Sequence, residues 1–156
     1  MGLADAIRTA YPKYATFSGR ATRSEFWWYQ LFCTVIIGVP IAVVSELLHN
    51  IWVLVNVLPL ASVAARRLHD IDRSGWWQLL PLLATPFLVI PLLNSGFDFE
   101  TSFDPIYFLS PTAWIGVVFV VGLHILVTVW YATPGTKGPN RFGEDPFGRS
   151  NASIFE

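Results

Sequence analysis

Twenty consecutive residues, Phe26 to Ser45, pass without a charge. At about 1.5 Å rise per residue, a helix of that length matches a bilayer's hydrocarbon core, roughly 30 Å thick. Three further uncharged runs follow: Ile51 to Ala65, Trp76 to Leu93, and Trp114 to Tyr131. The second is the shortest and reaches a full span only by extending back towards Glu46. Composition agrees with lipid as the solvent. Apolar residues make up 53% of the 156 and charged ones 13%, about half the share of a soluble domain. The predicted fold class is therefore all-α: a polytopic integral membrane protein with four transmembrane helices near 26–45, 48–65, 76–93 and 114–131. Residues 1–156 form a single membrane domain in this reading, flanked by segments 1–25 and 132–156.

The basic residues orient it. Arg8, Lys13, Arg20 and Arg23 precede the first run, and Arg66, Arg67 and Arg73 lie between the second and third. Lys137, Arg141 and Arg149 follow the fourth. The two remaining loops carry none, and the later one adds Asp98, Glu100 and Asp104. Short loops rich in Lys and Arg stay in the cytoplasm, so both termini are expected inside. Only an even number of spans permits that alternation. All seven tryptophans, Trp27, Trp28, Trp52, Trp76, Trp77, Trp114 and Trp130, fall at or near span ends, where indole prefers the headgroup interface. The first run lacks a clear small-x-small exit and is expected to be an uncleaved span.

Leu3, Ile7, Ala10, Tyr14 and Phe17 recur at helix-like spacing. That pattern suits an amphipathic helix on the inner membrane surface, kinked or started by Pro12, or equally a frayed tail. Pro81, Pro86 and Pro91 make the third run a bent helix in need of neighbours. Arg23-Ser24-Glu25-Phe26-Trp27-Trp28 and Arg73-Ser74-Gly75-Trp76-Trp77 echo one another, as duplicated hairpins or shared interface chemistry would. Cys33, the single cysteine, supports no disulfide framework and suits a small packing residue.

Three polar segments lie on the predicted cytoplasmic side: Phe17 to Trp28, Ala65 to Trp77 and Pro134 to Pro146. They contain Gly19-Arg20-x-x-Arg23-x-x-Phe26-Trp27, then Ala65-Arg66-Arg67-Leu68-His69-Asp70-x-x-x-Ser74-Gly75-Trp76-Trp77, and finally Gly135-x-x-Gly138-x-Asn140-x-x-Gly143-x-Asp145-Pro146. With these three motifs in this order, the chain resembles the bacterial inner-membrane family called domain of unknown function 805, over nearly its whole length. The resemblance implies a multi-span protein of the bacterial inner (plasma) membrane and no particular activity. The loop from Asn94 to Pro111 is longer than the resemblance leads one to expect.

Function then rests on the residues. Arg20, Arg23, Arg66, Arg67, His69, Asp70, Ser74, Asn140 and Asp145 form a candidate cluster at headgroup depth. Arg66 and Asp70, four apart, would share a helix face and pair. Arginine forks match phosphate oxygens, so anionic lipid headgroups are candidate ligands. The competing view is that such pairs only lock loops together. His69, Asp70 and Asp72 lack the count and spacing of a metal site, and Pro134 to Gly138 lacks phosphate-loop spacing. No metal, cofactor or nucleic-acid partner is expected. Asn56 and His124, at mid-depth, could line a polar pathway or simply pack.

Three function classes stay open. The leading one is a non-enzymatic membrane module whose cytoplasmic cluster organises loops and holds anionic lipid or a membrane protein partner. The second is a small, homo-oligomeric transporter or channel. The third is a lipid-headgroup enzyme with His69 as base, oriented by Asp70.

Overall fold

In the computed structural model, residues 1–94 and 111–148 are described. Asp98, Glu100, Asp104 and Arg149 lie outside them. The elements are helical throughout the described residues: α1 (Leu3–Ala10), α2 (Arg23–Leu31), a π-helical stretch (Phe32–Gly38), α3 (Val39–Val44), α4 (Glu46–Asp70), a 3-10 turn (Gly75–Leu79), α5 (Leu80–Asn94) and α6 (Pro111–Ala132). Among the described residues, three stretches are long and apolar enough to cross a membrane: Arg23–Val44, Glu46–Asp70 and Trp114–Ala132. The proline-bearing segment Gly75–Ile90 is a shorter apolar helix.

Burial is inverted relative to a water-soluble domain. Val43 is 83% and Leu54 72% exposed, while Arg67 is 0% and Arg66, Asp70 and Asn56 are each 1% exposed. Many apolar side chains of the helices face out while these polar and charged ones are enclosed, the arrangement expected where lipid surrounds the helices.

The chain divides into two compact units, Met1–Trp77 with Trp130–Glu156, and Gln78–Val129. In the first unit, Thr22 caps α2 by accepting a hydrogen bond from the Glu25 amide at 3.1 Å. Ser45 caps α4 in the same way through the Leu48 amide. Satisfying these otherwise orphaned amides sets where each helix starts. The core joins Ala10, Ala21, Phe26, Tyr29, Cys33, Val63 and Ala64. The helical spacing that runs from Leu3 to Phe17 in sequence yields a helix only to Ala10: Tyr11 still has helical backbone and donates to the Ile7 carbonyl, but Pro12 has no N–H with which to continue the ladder. Residues 11–15 turn instead, and Ala6 and Ala10 are buried.

That turn has a use. Pro59 lies inside α4 and has no N–H to give the Val55 carbonyl one turn earlier. The Tyr14 hydroxyl donates to that carbonyl. Ser62 nearby donates to the carbonyls of Lys13 and Pro59, at 3.2 and 3.0 Å. The N-terminal segment thus repairs the break in α4. In the π-helical stretch, the Trp52 indole donates to the Cys33 carbonyl at 2.9 Å.

In the second unit, α5 continues through all three prolines. Pro91 cannot serve the Phe87 carbonyl, and that carbonyl lies against Gly116 of α6. A Cβ added at Gly116 would collide with the oxygen. The two backbones approach as closely as small residues allow in membrane helix pairs. Phe87 and Phe119 meet edge to face at 6.0 Å.

Candidate functional site

Asp70 sits in the last turn of α4, fully enclosed. Its Oδ1 accepts from Arg20 Nε at 2.9 Å and Nη2 at 2.8 Å, and its Oδ2 accepts from Arg67 Nη1 at 2.6 Å. Two guanidinium groups therefore converge on one carboxylate. A buried charge is tolerable only when paired and fully hydrogen-bonded, and the surplus positive charge is met by carbonyl dipoles. Arg20 also donates to the carbonyls of Gly138 at 2.7 Å and Thr136 at 2.6 Å. Arg67 donates to the Tyr131 carbonyl at 2.9 Å and to that of Thr133.

These last acceptors explain why an arginine stands at 67. The final carbonyls of a helix have no partner within it and form the negative end of its dipole. Arg67 reaches across to the end of α6 and satisfies them. Arg23 adds a long contact to the Ala132 carbonyl at 3.5 Å, and Arg73 lies over the Trp130 ring at 4.2 Å. Trp130 in turn meets Trp77 edge to face at 5.9 Å.

The segment after α6 closes over Asp70. The Thr136 amide and hydroxyl both donate to the Asp70 carbonyl, at 2.9 and 3.2 Å. A Cβ at Gly135 would overlap Asp70 Oδ2, so the backbone rests directly on the carboxylate and leaves room for no side chain. Asn140 Nδ2 donates to the His69 carbonyl at 2.9 Å and to the Thr136 hydroxyl at 3.0 Å, while its Oδ1 accepts from the Phe142 amide. Asp145 pins the same segment by accepting from the Gly138 and Phe147 amides at 3.2 and 2.9 Å.

Arg66 points elsewhere. Four residues from Asp70, it pairs with Glu25 of α2 at 2.6 Å rather than with Asp70. The expected Arg66–Asp70 pair does not form, because Asp70 is claimed by Arg67 on the adjacent face and by Arg20 from the preceding loop. Among the described residues, Arg66 Nε and Nη2 are buried without a hydrogen-bond partner, a desolvation cost that the Glu25 contact must offset. Its carbonyl accepts from the Ala21 amide at 2.9 Å.

His69 does not meet the Asp70 carboxylate either. Its Nδ1 donates to the Gly19 carbonyl at 3.0 Å and its ring stacks on Phe142 at 3.9 Å. A base oriented by Asp70 is not what this geometry provides. Ser74 caps the 3-10 turn, accepting from the Trp76 amide through its hydroxyl at 3.5 Å and from the Trp77 amide through its carbonyl at 3.2 Å. Arg20, Arg67, Asp70, Asn140, His69 and Asp145 thus belong to one connected network. Arg23 and Ser74 lie at its margin.

Asn56 is a separate buried hub. Its Oδ1 accepts from the Tyr29 and Tyr11 hydroxyls at 3.2 and 3.4 Å, and its Nδ2 donates to the Trp52 carbonyl at 2.9 Å. His124, in the second unit, uses Nδ1 on the Val120 carbonyl of its own helix at 2.9 Å.

Sequence reasoning missed three participants: Glu25, Gly135 and Thr136. A signal existed for Glu25, a lone carboxylate at the mouth of a membrane-length apolar run, where an unpaired charge is costly. Gly135 stands in the exit motif, but its approach to Asp70, like the contacts of Thr136, is made largely by backbone whose partner no residue pattern announces.

Comparison with known proteins points one way. The family model described as "Protein of unknown function (DUF805)" matches residues 14–144. Inner membrane protein YhaI of Escherichia coli K12 is 31% identical over 145 residues, covering 88% of this chain and 92% of the relative. Inner membrane protein YhaH of the same strain is 29% identical over 143 residues, covering 85% and 88%. No solved structure matches.

Proposed function

This chain belongs to the DUF805 family, and from that footing we propose that it is a non-enzymatic module of the bacterial inner membrane. Four helices cross the bilayer, with α5 and its preceding 3-10 turn as the fourth, and both termini lie in the cytoplasm. The buried Arg20–Asp70–Arg67 network holds three cytoplasmic segments as one platform that faces the anionic headgroups of the inner leaflet.

One observation carries this reading. A single residue, Asp70, collects arginines from two segments on its carboxylate and the backbone of a third on its own carbonyl. Such an arrangement commits its charges to holding shape. No general base is left aimed at open space by the Asp70–His69 pair, and the Asn56 amide is engaged by its own neighbours, so catalysis and a polar pathway both lose their supporting residues. The even alternation of basic loops supports the orientation.

Cysteine labelling in intact cells tests it, in a Cys33→Ala background. Asp98→Cys reacts with an impermeant maleimide from outside, and Lys137→Cys reacts only after permeabilisation. Labelling of Lys137→Cys from outside overturns the orientation. In permeabilised membranes, Arg20→Met makes the 134–146 segment cleavable by protease. Unchanged protection overturns the platform.

A further inference from the structure

Arg20, Arg66 and Arg67 turn inward, so the cation that this face offers outward beside the first membrane helix is Arg23. It is exposed, and the one hydrogen bond of its side chain among the described residues is the 3.5 Å contact to the Ala132 carbonyl, at the limit of a useful bond. Arg23 lines a groove of about 490 Å³ together with Ser24, Trp27, Ala132 and Phe147. That volume is of the size that holds small polar ligands, roughly 300–1,000 Å³.

A second groove adjoins it. Trp27 is also a wall of that groove, of about 450 Å³, lined by Trp28, Gln30, Leu31, Thr34 and Val35. This one follows α2 into the apolar run. Its two polar side chains are engaged with each other and with their own helix. Gln30 Nε2 donates to the Thr34 hydroxyl at 3.1 Å, and that hydroxyl donates to the Gln30 carbonyl. What remains for a ligand is apolar surface. A cationic, hydroxyl-bearing cup and an apolar groove along a membrane-length helix therefore share one indole as a wall.

We infer that these two neighbouring grooves bind one anionic phospholipid, with its phosphate on the Arg23 guanidinium and the Ser24 hydroxyl and an acyl chain passing Trp27 to lie along Leu31 and Val35. Charge and polarity favour this occupant. A free anion would leave the apolar groove unused, and an acyl chain alone would leave the guanidinium unpaired. Arginine's fork suits a phosphate diester, and an indole suits the depth of the glycerol backbone. The inference rests on the orientation proposed above and narrows its anionic-headgroup partner to one site.

Native mass spectrometry of the full chain in neutral detergent tests it, with phosphatidylglycerol, phosphatidylcholine of matched chains and inorganic phosphate as probes. The expected result is one phosphatidylglycerol per chain, held at least about tenfold more tightly than phosphatidylcholine, whose phosphate is the same but whose choline cation would be brought up against Arg23. Arg23→Gln abolishes that preference, Trp27→Ala weakens both lipids, and Lys137→Gln changes neither. Equal binding of the two lipids by the unaltered chain overturns the inference, as does an undiminished preference in Arg23→Gln. Displacement of phosphatidylglycerol by inorganic phosphate overturns it too, showing an ion site only. If the unaltered chain shows no lipid selectivity while Arg23→Gln keeps the 134–146 segment protected from protease, the groove fails and the platform stands. Lost protection in Arg20→Met, with lipid selectivity absent from the unaltered chain, likewise removes the groove and leaves the platform.

Discussion

Arg20 and Asp70 are fifty positions apart and meet through Nε and Oδ1 at 2.9 Å, in surroundings that exclude solvent from both. Neither could be buried alone. Their union, with Arg67 as third member, ties the loop before the first membrane helix to the end of α4.

Removing the carboxylate should therefore cost more than removing either arginine. Asp70→Asn strands two buried guanidinium groups, whereas Arg20→Met leaves Asp70 still paired with Arg67. For Asp70→Asn the expected loss is about 3–5 kcal/mol, typical of a broken buried pair. Thermal unfolding in detergent should rank Asp70→Asn below Arg20→Met, and the reverse order would contradict the geometry.

Glycine substitutions separate contact from propensity. Gly135→Ala drives a methyl group into Asp70 Oδ2, and Gly116→Ala drives one into the Phe87 carbonyl. Both should lower the unfolding midpoint. In Gly122→Ala, on the same helix as Gly116, the new Cβ meets nothing within 4 Å. That variant should be neutral or stabilising by up to about 1 kcal/mol from helix propensity. Equal effects at 116 and 122 would show that α5 and α6 do not approach as described.

Tyr14 and Pro59 should be coupled through the Val55 carbonyl. Tyr14→Phe leaves that carbonyl without a donor and should cost about 1–3 kcal/mol. In a Pro59→Ala background the helix supplies its own N–H, so the same change should cost little. Additive effects of the two substitutions would mean that Tyr14 acts by packing alone.

Much of the helical layout could be read from charge-free runs and capping chemistry, since lipid tolerates few alternatives to a helix. Arg23–Val44 and α4 lie where runs one and two predict helices. The third run was harder, because its helix begins as a 3-10 turn from Gly75 and carries three prolines. The candidate residues were legible as a group, but their pairings were not. Helical spacing alone joined Arg66 to Asp70, whereas the choice of partner depended on where the distant loops bearing Arg20 and Thr136 came to rest. Burial was misjudged for a related reason. Arginines flanking a span usually anchor to headgroups, and only the helix-end carbonyls of Tyr131 and Thr133, together with Asp70, turned Arg67 inward.

The platform claim is tested most directly by a double-mutant cycle between Arg20→Met and Asp70→Asn, read as unfolding free energy of the purified full chain. A shared buried pair predicts strong non-additivity, with the double variant losing at least about 1.5 kcal/mol less than the sum of the two single losses. Losses that sum to within about 0.5 kcal/mol would mean the two residues do not act as a pair, and the platform would have no keystone.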